Sequence, residues 1–267
     1  MSLKPTKLRK IYGYFVLAII FAIVTFPMLW MFITSFKTMD QIQTNKNPYY
    51  PNPPTLINYV ELAKETDFPY WFRNSVIVTS SVVIITLIIG SMAAYAIVRI
   101  NFKGKKTLAI VVLITYLVPP SLLFIPLYVL LNQYRLTNTL FSLIIVHPTF
   151  TIPFCAWFLM GFIRSIPAEI DEVALVDGAN RIQIFYRITI HLILPGLVAS
   201  AIFAFVLSWN NYIYALVFIR SELKLTLPVG IHQMTMFDVY PWGQLMSAAI
   251  LTSVPIVVLY AILNRYI

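Results

Sequence analysis

The sequence predicts an all-α integral membrane protein of six transmembrane helices, and three observations carry that reading. Hydrophobic residues make up 60% of the 267 and charged residues only 11%, against about 25% charged in soluble domains, and mean hydropathy is +0.82. Six apolar runs approach or exceed the about 20 residues that a helix needs to cross a hydrocarbon core. Basic residues collect on one side of those runs, which is the pattern that sets membrane orientation. A chain this apolar has lipid as its solvent, and its length implies one transmembrane domain over 1–267 with no second domain.

The first run, Tyr12–Phe36, follows the basic stretch "MSLKPTKLRK". It is too long for the apolar part of a signal peptide and no A-x-A site follows, so it reads as a retained anchor. Residues 37–73 contain "NKNPYYPNPP", four prolines in seven positions, which favours extended backbone and turns over a compact domain. The second run is Asn74–Val98. The third, Leu108–Leu131, is expected to break at Pro119-Pro120 and Pro126, and the fourth, Leu140–Ile163, at Pro148 and Pro153. The fifth is Ile188–Ile219 and the sixth, Leu245–Leu263, is expected to break at Pro255. Such prolines free carbonyls that a neighbour or cavity must satisfy. Between the last two runs, Tyr240 and Trp242 suit the depth of a membrane interface.

With the N-terminus in the cytosol, the cytosolic pieces are 1–11, 99–107, 164–187 and the C-terminus. They hold 12 of the 19 basic residues, among them Lys4, Lys103, Lys105, Lys106 and Arg164, and four acids, a net +8. The other side holds 7 basic and 6 acidic residues, a net +1. The chain's +9 is therefore a topology signal and not a nucleic-acid footprint, and both termini are expected inside.

No Asp, Glu, Lys or Arg lies within the six runs, so the intramembrane carboxylate relay of a proton-coupled carrier is missing. No G-x-x-x-x-G-K-[ST] loop is present to cradle a nucleotide. Cys155 is a lone cysteine, and His147, His191 and His232 lack metal-site spacing. His147, just before Pro148, reads as a donor to a freed carbonyl. Energy for transport must come from another chain.

The segment 164–196 breaks the apolar pattern. Ser165 is placed to N-cap a helix with Pro167 in its first turn, and Glu169, Asp171 and Glu172 then sit at the positive end of the helix dipole. Ile166, Ile170, Val173 and Ala174 recur at helical spacing as an apolar face. Asp177-Gly178 stops the helix, since glycine takes the left-handed conformation cheaply. Ile182, Phe185, Tyr186 and Thr189 give a second helical pattern. Two amphipathic helices with a bend at Gly178 are expected on the cytosolic surface. The first is acidic, which suits a basic protein surface better than an anionic leaflet.

"EVALVDGA" followed by "RITIHLILPG" resembles the EAA motif of ABC importer permeases. "RNSVIV", "AAYAIVRINFKGKK", "YLVPPSLLFIPLYVLL", "SWNNYIYALVFI" and "LTLPVGI" are similar to the carbohydrate-uptake branch, the maltose and multiple-sugar type, and the likeness runs from about residue 12 to 263. Val173 stands where the motif has its second alanine, and His191 where a proline is usual. The resemblance implies type I ABC importer architecture with 164–187 as the coupling loop. Glu169, Glu172, Ala174, Asp177, Gly178 and Ala179 would dock on the ATPase, with Glu172 meeting a basic group there. It also implies a second homologous permease, two ATP-binding cassette subunits that carry ATP and Mg, an extracytoplasmic solute-binding protein and a prokaryotic inner membrane. No cofactor and no enzymatic step belong to this chain.

Asn210 and Asn211, flanked by Trp209 and Tyr212, combine the amides and aromatic faces that suit a sugar, and Tyr116 is a further candidate for the substrate path. Gly196, Ser200, Ala204 and Ser208 form a ladder of small residues suited to close helix contact with the partner permease or a neighbouring span. The expected cargo is a sugar or oligosaccharide. The alternatives are another polar solute such as a glycerol phosphodiester, and an ATP-independent carrier.

Overall fold

The computed structural model describes residues 7–44, 49–236 and 240–266, with side chains from Tyr12 to Arg265. Lys4, part of the proline-rich loop and residues 237–239 lie outside them. Among the described residues every element is helical. Four helices are long and apolar enough to span a membrane, and six spans result when each of two bent pairs counts as one. The chain divides into two compact units, 1–66 with 233–254, and 67–232 with 255–267.

In the first unit, α1 (Lys7–Ser35) is the first predicted span. Its apolar side chains stay exposed along most of its length, Tyr14 and Phe21 at 71%. The loop expected to favour extended backbone and turns contains two short helices, α2 (Met39–Thr44) and α3 (Ile57–Lys64). Buried Leu62 anchors α3, which has a capping task. Asn58 Nδ2 donates to the Ser35 and Lys37 carbonyls at 2.8 and 2.7 Å, satisfying groups that the end of α1 leaves open.

In the second unit, α4 (Phe68–Arg99) begins earlier than the predicted Asn74, with Pro69 in its first turn. The predicted third span is two helices, α5 (Lys105–Leu117) and α6 (Pro120–Gln133), at 98°. Pro119 and Pro120 place the break, because the residue before a proline avoids the α region and Val118 is extended. The fourth run joins α7 (Leu140–Val146) to α8 (Pro148–Ser165) through His147 as one 26-residue span. Next come α9 (Glu169–Val176) and α10 (Arg181–Ile184), then a π-helical turn Phe185–Thr189 and α11 (Ile190–Leu192). The fifth run is divided as well. Its start belongs to the segment before a 79° bend, α12 (Leu194–Trp209) follows, and α13 (Ile213–Phe218) lies beyond a break at Asn210-Asn211. α14 (Leu227–Gln233) and α15 (Trp242–Leu263) are the last α-helices among the described residues.

The core of this unit is α4 against α8 and α12. A Cβ on Gly90 would lie 2.7 Å from Cys155 Sγ, and Thr86 and Thr151 share a 2.6 Å hydroxyl bond. Every member of the small-residue ladder is buried. A Cβ on Gly196 would sit 2.8 Å from the Phe162 ring of α8, so the ladder packs within the chain. His147 does not bond a freed carbonyl. Its Nδ1 lies 2.8 Å from Ser208 Oγ, which reaches Thr79 Oγ1 at 3.4 Å.

Candidate functional site

The segment after α8 forms a hairpin whose turn follows from its sequence. Gly178 has φ +84°. The Ala179 N–H donates to Ala174 O at 2.9 Å and the Gly178 N–H to Leu175 O at 3.1 Å, which is the Schellman pattern. Asn180 then opens α10 with a capping box: its Oδ1 accepts from Gln183 N while Gln183 Oε1 accepts from Asn180 N. The start of the hairpin differs from the sequence reading. Ser165 ends α8 and its hydroxyl donates to Phe162 O, so the N-cap of α9 is Ala168, which supplies no side-chain cap. The second arm is longer than its apolar pattern implied, running from Arg181 to Leu192.

The two faces of α9 differ. Asp171 and Ala174, three residues apart and so on one face, are 4% and 8% exposed. Ala174, Ile184, Phe185 and Ile193 enter one apolar cluster with Ala94 and Tyr95 of α4 and Leu159 and Ile163 of α8. The Tyr95 and Phe185 rings stand 5.2 Å apart. Asp171 Oδ2 pairs with Arg99 Nε at 3.4 Å and with Arg181 at 4.0 Å, while Arg99 Nη2 donates to Ile166 O at 2.7 Å. This buried carboxylate holds the hairpin to the end of α4. Its role was missed in the sequence, although its place one turn before Ala174 was a usable signal.

Glu169, Glu172, Val173 and Val176 form the opposite stripe at i, i+3, i+4 and i+7. Val173 is 61% exposed and Val176 89%, so the expected apolar face of Ile166, Ile170, Val173 and Ala174 is not one packed surface. Glu169 and Glu172 are exposed and enter no ion pair among the described residues. Asp177 is exposed, and its backbone N–H closes the helix on Val173 O. Of the six predicted hairpin residues, Ala174 faces the bundle, Gly178 makes the turn, Ala179 is half-buried, and the three acids face outward.

The predicted path residues separate. Asn210, Asn211 and Tyr212 meet at the break after α12. Asn210 Nδ2 donates to Val206 O at 3.0 Å, Asn211 Oδ1 accepts from Tyr214 N at 3.1 Å, and Tyr212 stands edge-on to His232. Trp209 is 1% exposed and packs on Phe72 and Phe205. Its ring is part of the packed interior and not an open wall. Tyr116 lies apart on α5, stacked with Trp157 at 6.3 Å.

Residues 86–267 match the family described as "Binding-protein-dependent transport system inner membrane component". The chain is 34% identical to the inner membrane ABC transporter permease protein YcjP of Escherichia coli K12, over 100% of this chain and 96% of that one. It is 32% identical to the trehalose/maltose transport system permease protein MalG of Thermococcus litoralis, over 94% and 91%. Its fold matches a chain of a bacterial ABC transporter that imports the acidic polysaccharide alginate, with TM-score 0.87, 19% identity and 99% of each chain covered. The chain belongs to the family of binding-protein-dependent transport system inner membrane components.

Proposed function

We propose that the chain is a pore-forming permease subunit of an ATP-driven, binding-protein-dependent importer of a sugar or oligosaccharide, and that its hairpin is the surface an ATPase partner grips. One observation carries this reading: the hairpin is fastened by its inner face while its outer face keeps unpaired carboxylates beside bare valines. Such a face suits a cleft with basic groups at its rim and apolar groups at its floor. A rigid hairpin pushed by that partner would move α4 and α8 with it, because Ala174, Phe185 and Asp171 are packed or paired against them.

Two ATP-binding cassette subunits would bind ATP and Mg and perform the hydrolysis. A second, homologous permease would complete the pore, and an extracytoplasmic binding protein would deliver the solute. The hairpin end and both termini would face the cytosol, supported by the excess of basic residues there. The sugar assignment is supported by the relative named for trehalose and maltose.

The test is a mild-detergent pull-down of the tagged chain, wild type beside Glu172→Lys, with sugar uptake measured in the same cells. Wild type should bring an ABC ATPase and a second permease, and Glu172→Lys should lose the ATPase and the uptake while staying folded. A wild-type chain that transports with no ATPase bound, and tolerates Glu172→Lys, would make it an ATP-independent carrier.

A further inference from the structure

Away from the hairpin, one groove joins apolar walls to unpaired cations. It lies between α5 and α8, has a volume of about 480 Å³, and is lined by Ile110, Leu113, Trp157, Phe158 and Gly161, with Arg164 at one end. Ligand clefts are typically about 300–1,000 Å³. A Cβ on Gly161 would meet nothing within 4 Å, so the groove is open along α8 at that point. Lys105 and Lys106 stand four residues before Ala109 and Ile110, two lining residues of α5, so helical spacing continues the groove to them. Connectivity puts these cations toward the same end of the unit. α5 starts just after α4 ends, and Arg99 at the end of α4 bonds Ile166 just past α8.

Lys105, Lys106 and Arg164 enter no ion pair among the described residues. Asp171, the buried acid at this end, is already paired with Arg99 and Arg181. The groove therefore offers an aromatic, apolar channel with a cationic mouth. A basic pocket between spans at the cytoplasmic side is suited to an anionic lipid headgroup. An apolar span of another subunit would fill the walls and leave the three cations unanswered.

We propose that this groove binds one anionic phospholipid, with its phosphate at Lys105, Lys106 and Arg164 and an acyl chain along Gly161 and Trp157. Its placement in the inner leaflet rests on the orientation proposed above; the binding itself does not.

The test uses the purified chain, with whatever subunits accompany it, in nanodiscs of phosphatidylglycerol and phosphatidylcholine in equal parts. Native mass spectrometry after release into mild detergent counts the retained lipid. Phosphatidylglycerol should be retained over phosphatidylcholine. Arg164→Gln should cut its retention about fivefold, the equivalent of ~1 kcal/mol per cation near a charged surface. Gly161→Leu, which fills the groove, should abolish retention, with gel filtration showing both variants intact. Equal retention of the two lipids, or variants that hold as much lipid as wild type, would overturn the proposal. So would benzoylphenylalanine in place of Leu113 that cross-links a second permease and not lipid. Loss of the ATPase from wild type would sink the coupling reading and leave this readout standing, so the two fail separately.

Discussion

The hairpin of 166–193 and the segment of 219–232 are both short pieces of the second unit, held by different means. The hairpin makes its own turn through Gly178 and its own cap through Asn180 and Gln183. The other segment is held from a distance. Asn74 Nδ2 donates to Leu223 O and Leu225 O, Trp71 Nε1 to Glu222 O, and Ser75 Oγ accepts from Leu227 N. Asn138 Oδ1 accepts from Arg220 N and Ser221 N at 3.1 and 3.0 Å. Backbone groups of 219–232 are thus answered by side chains of its own unit, while the hairpin leaves one charged face unanswered. A segment ordered from within keeps a surface free for a partner; a segment ordered by its neighbours serves as a brace.

The strongest way to break this contrast is Asp171→Ala, because it removes the buried ion pair that ties the hairpin to the end of α4. Arg99 would keep its bond to Ile166 O and lose its buried carboxylate. Breaking a buried ion pair by removing one partner costs about 3–5 kcal/mol. In a chain of this size that corresponds to a fall of roughly 6–12 °C or more in the unfolding midpoint, read by fluorescence-detected gel filtration after heating. A midpoint unchanged within error would show that the hairpin does not depend on this pair.

Gly230→Ala attacks the brace. The new Cβ would overlap the Trp71 ring, and Trp71 is 5% exposed with its indole N–H bonded to Glu222 O. The ring has little freedom to yield, so the expected cost is about 1–3 kcal/mol. Protease protection of 219–232 should fall while ATPase co-purification persists, which separates brace from hairpin.

Gly178→Ala should be milder still. An L side chain in the left-handed region costs roughly 1–2 kcal/mol, and nothing lies within 4 Å of the added Cβ. Gly178→Asn should recover part of the loss, since asparagine tolerates that conformation. The same thermal assay ranks the three proteins, and an Ala variant as stable as wild type would mean the Schellman turn is not needed.

Legibility followed the range of the interactions. Local signals were readable: the apolar runs, the glycine turn and the acidic first turn of α9. Pro119 and Pro120 showed where the third run breaks, whereas Pro126, Pro153 and Pro255 lie inside unbroken helices, and the 98° angle depends on packing that no local pattern encodes. Ser165 looked like a cap because it precedes Pro167, yet α8 extends to it and its hydroxyl serves Phe162 O. Asp171 looked like one of three dipole-facing acids. Its pairing with Arg99 joins two separate elements, so the sequence hinted at its burial only through its place one turn before Ala174. Trp209 was readable as an aromatic beside amides but not as buried, because Phe72 comes from α4.

The smallest effect on stability sharpens the contrast most. Val176 is 89% exposed and lies on the stripe with Glu169, Glu172 and Val173. Val176→Ser should change stability by no more than ~0.5 kcal/mol, as surface substitutions do. If the outer face docks in an apolar-floored cleft, the same change removes buried surface from that contact and should weaken ATPase co-purification measurably. Ala174→Ser, on the packed inner face, should do the reverse, lowering the unfolding midpoint before it weakens docking. Two variants that shift stability and docking together would mean the hairpin has one function-bearing surface and not two.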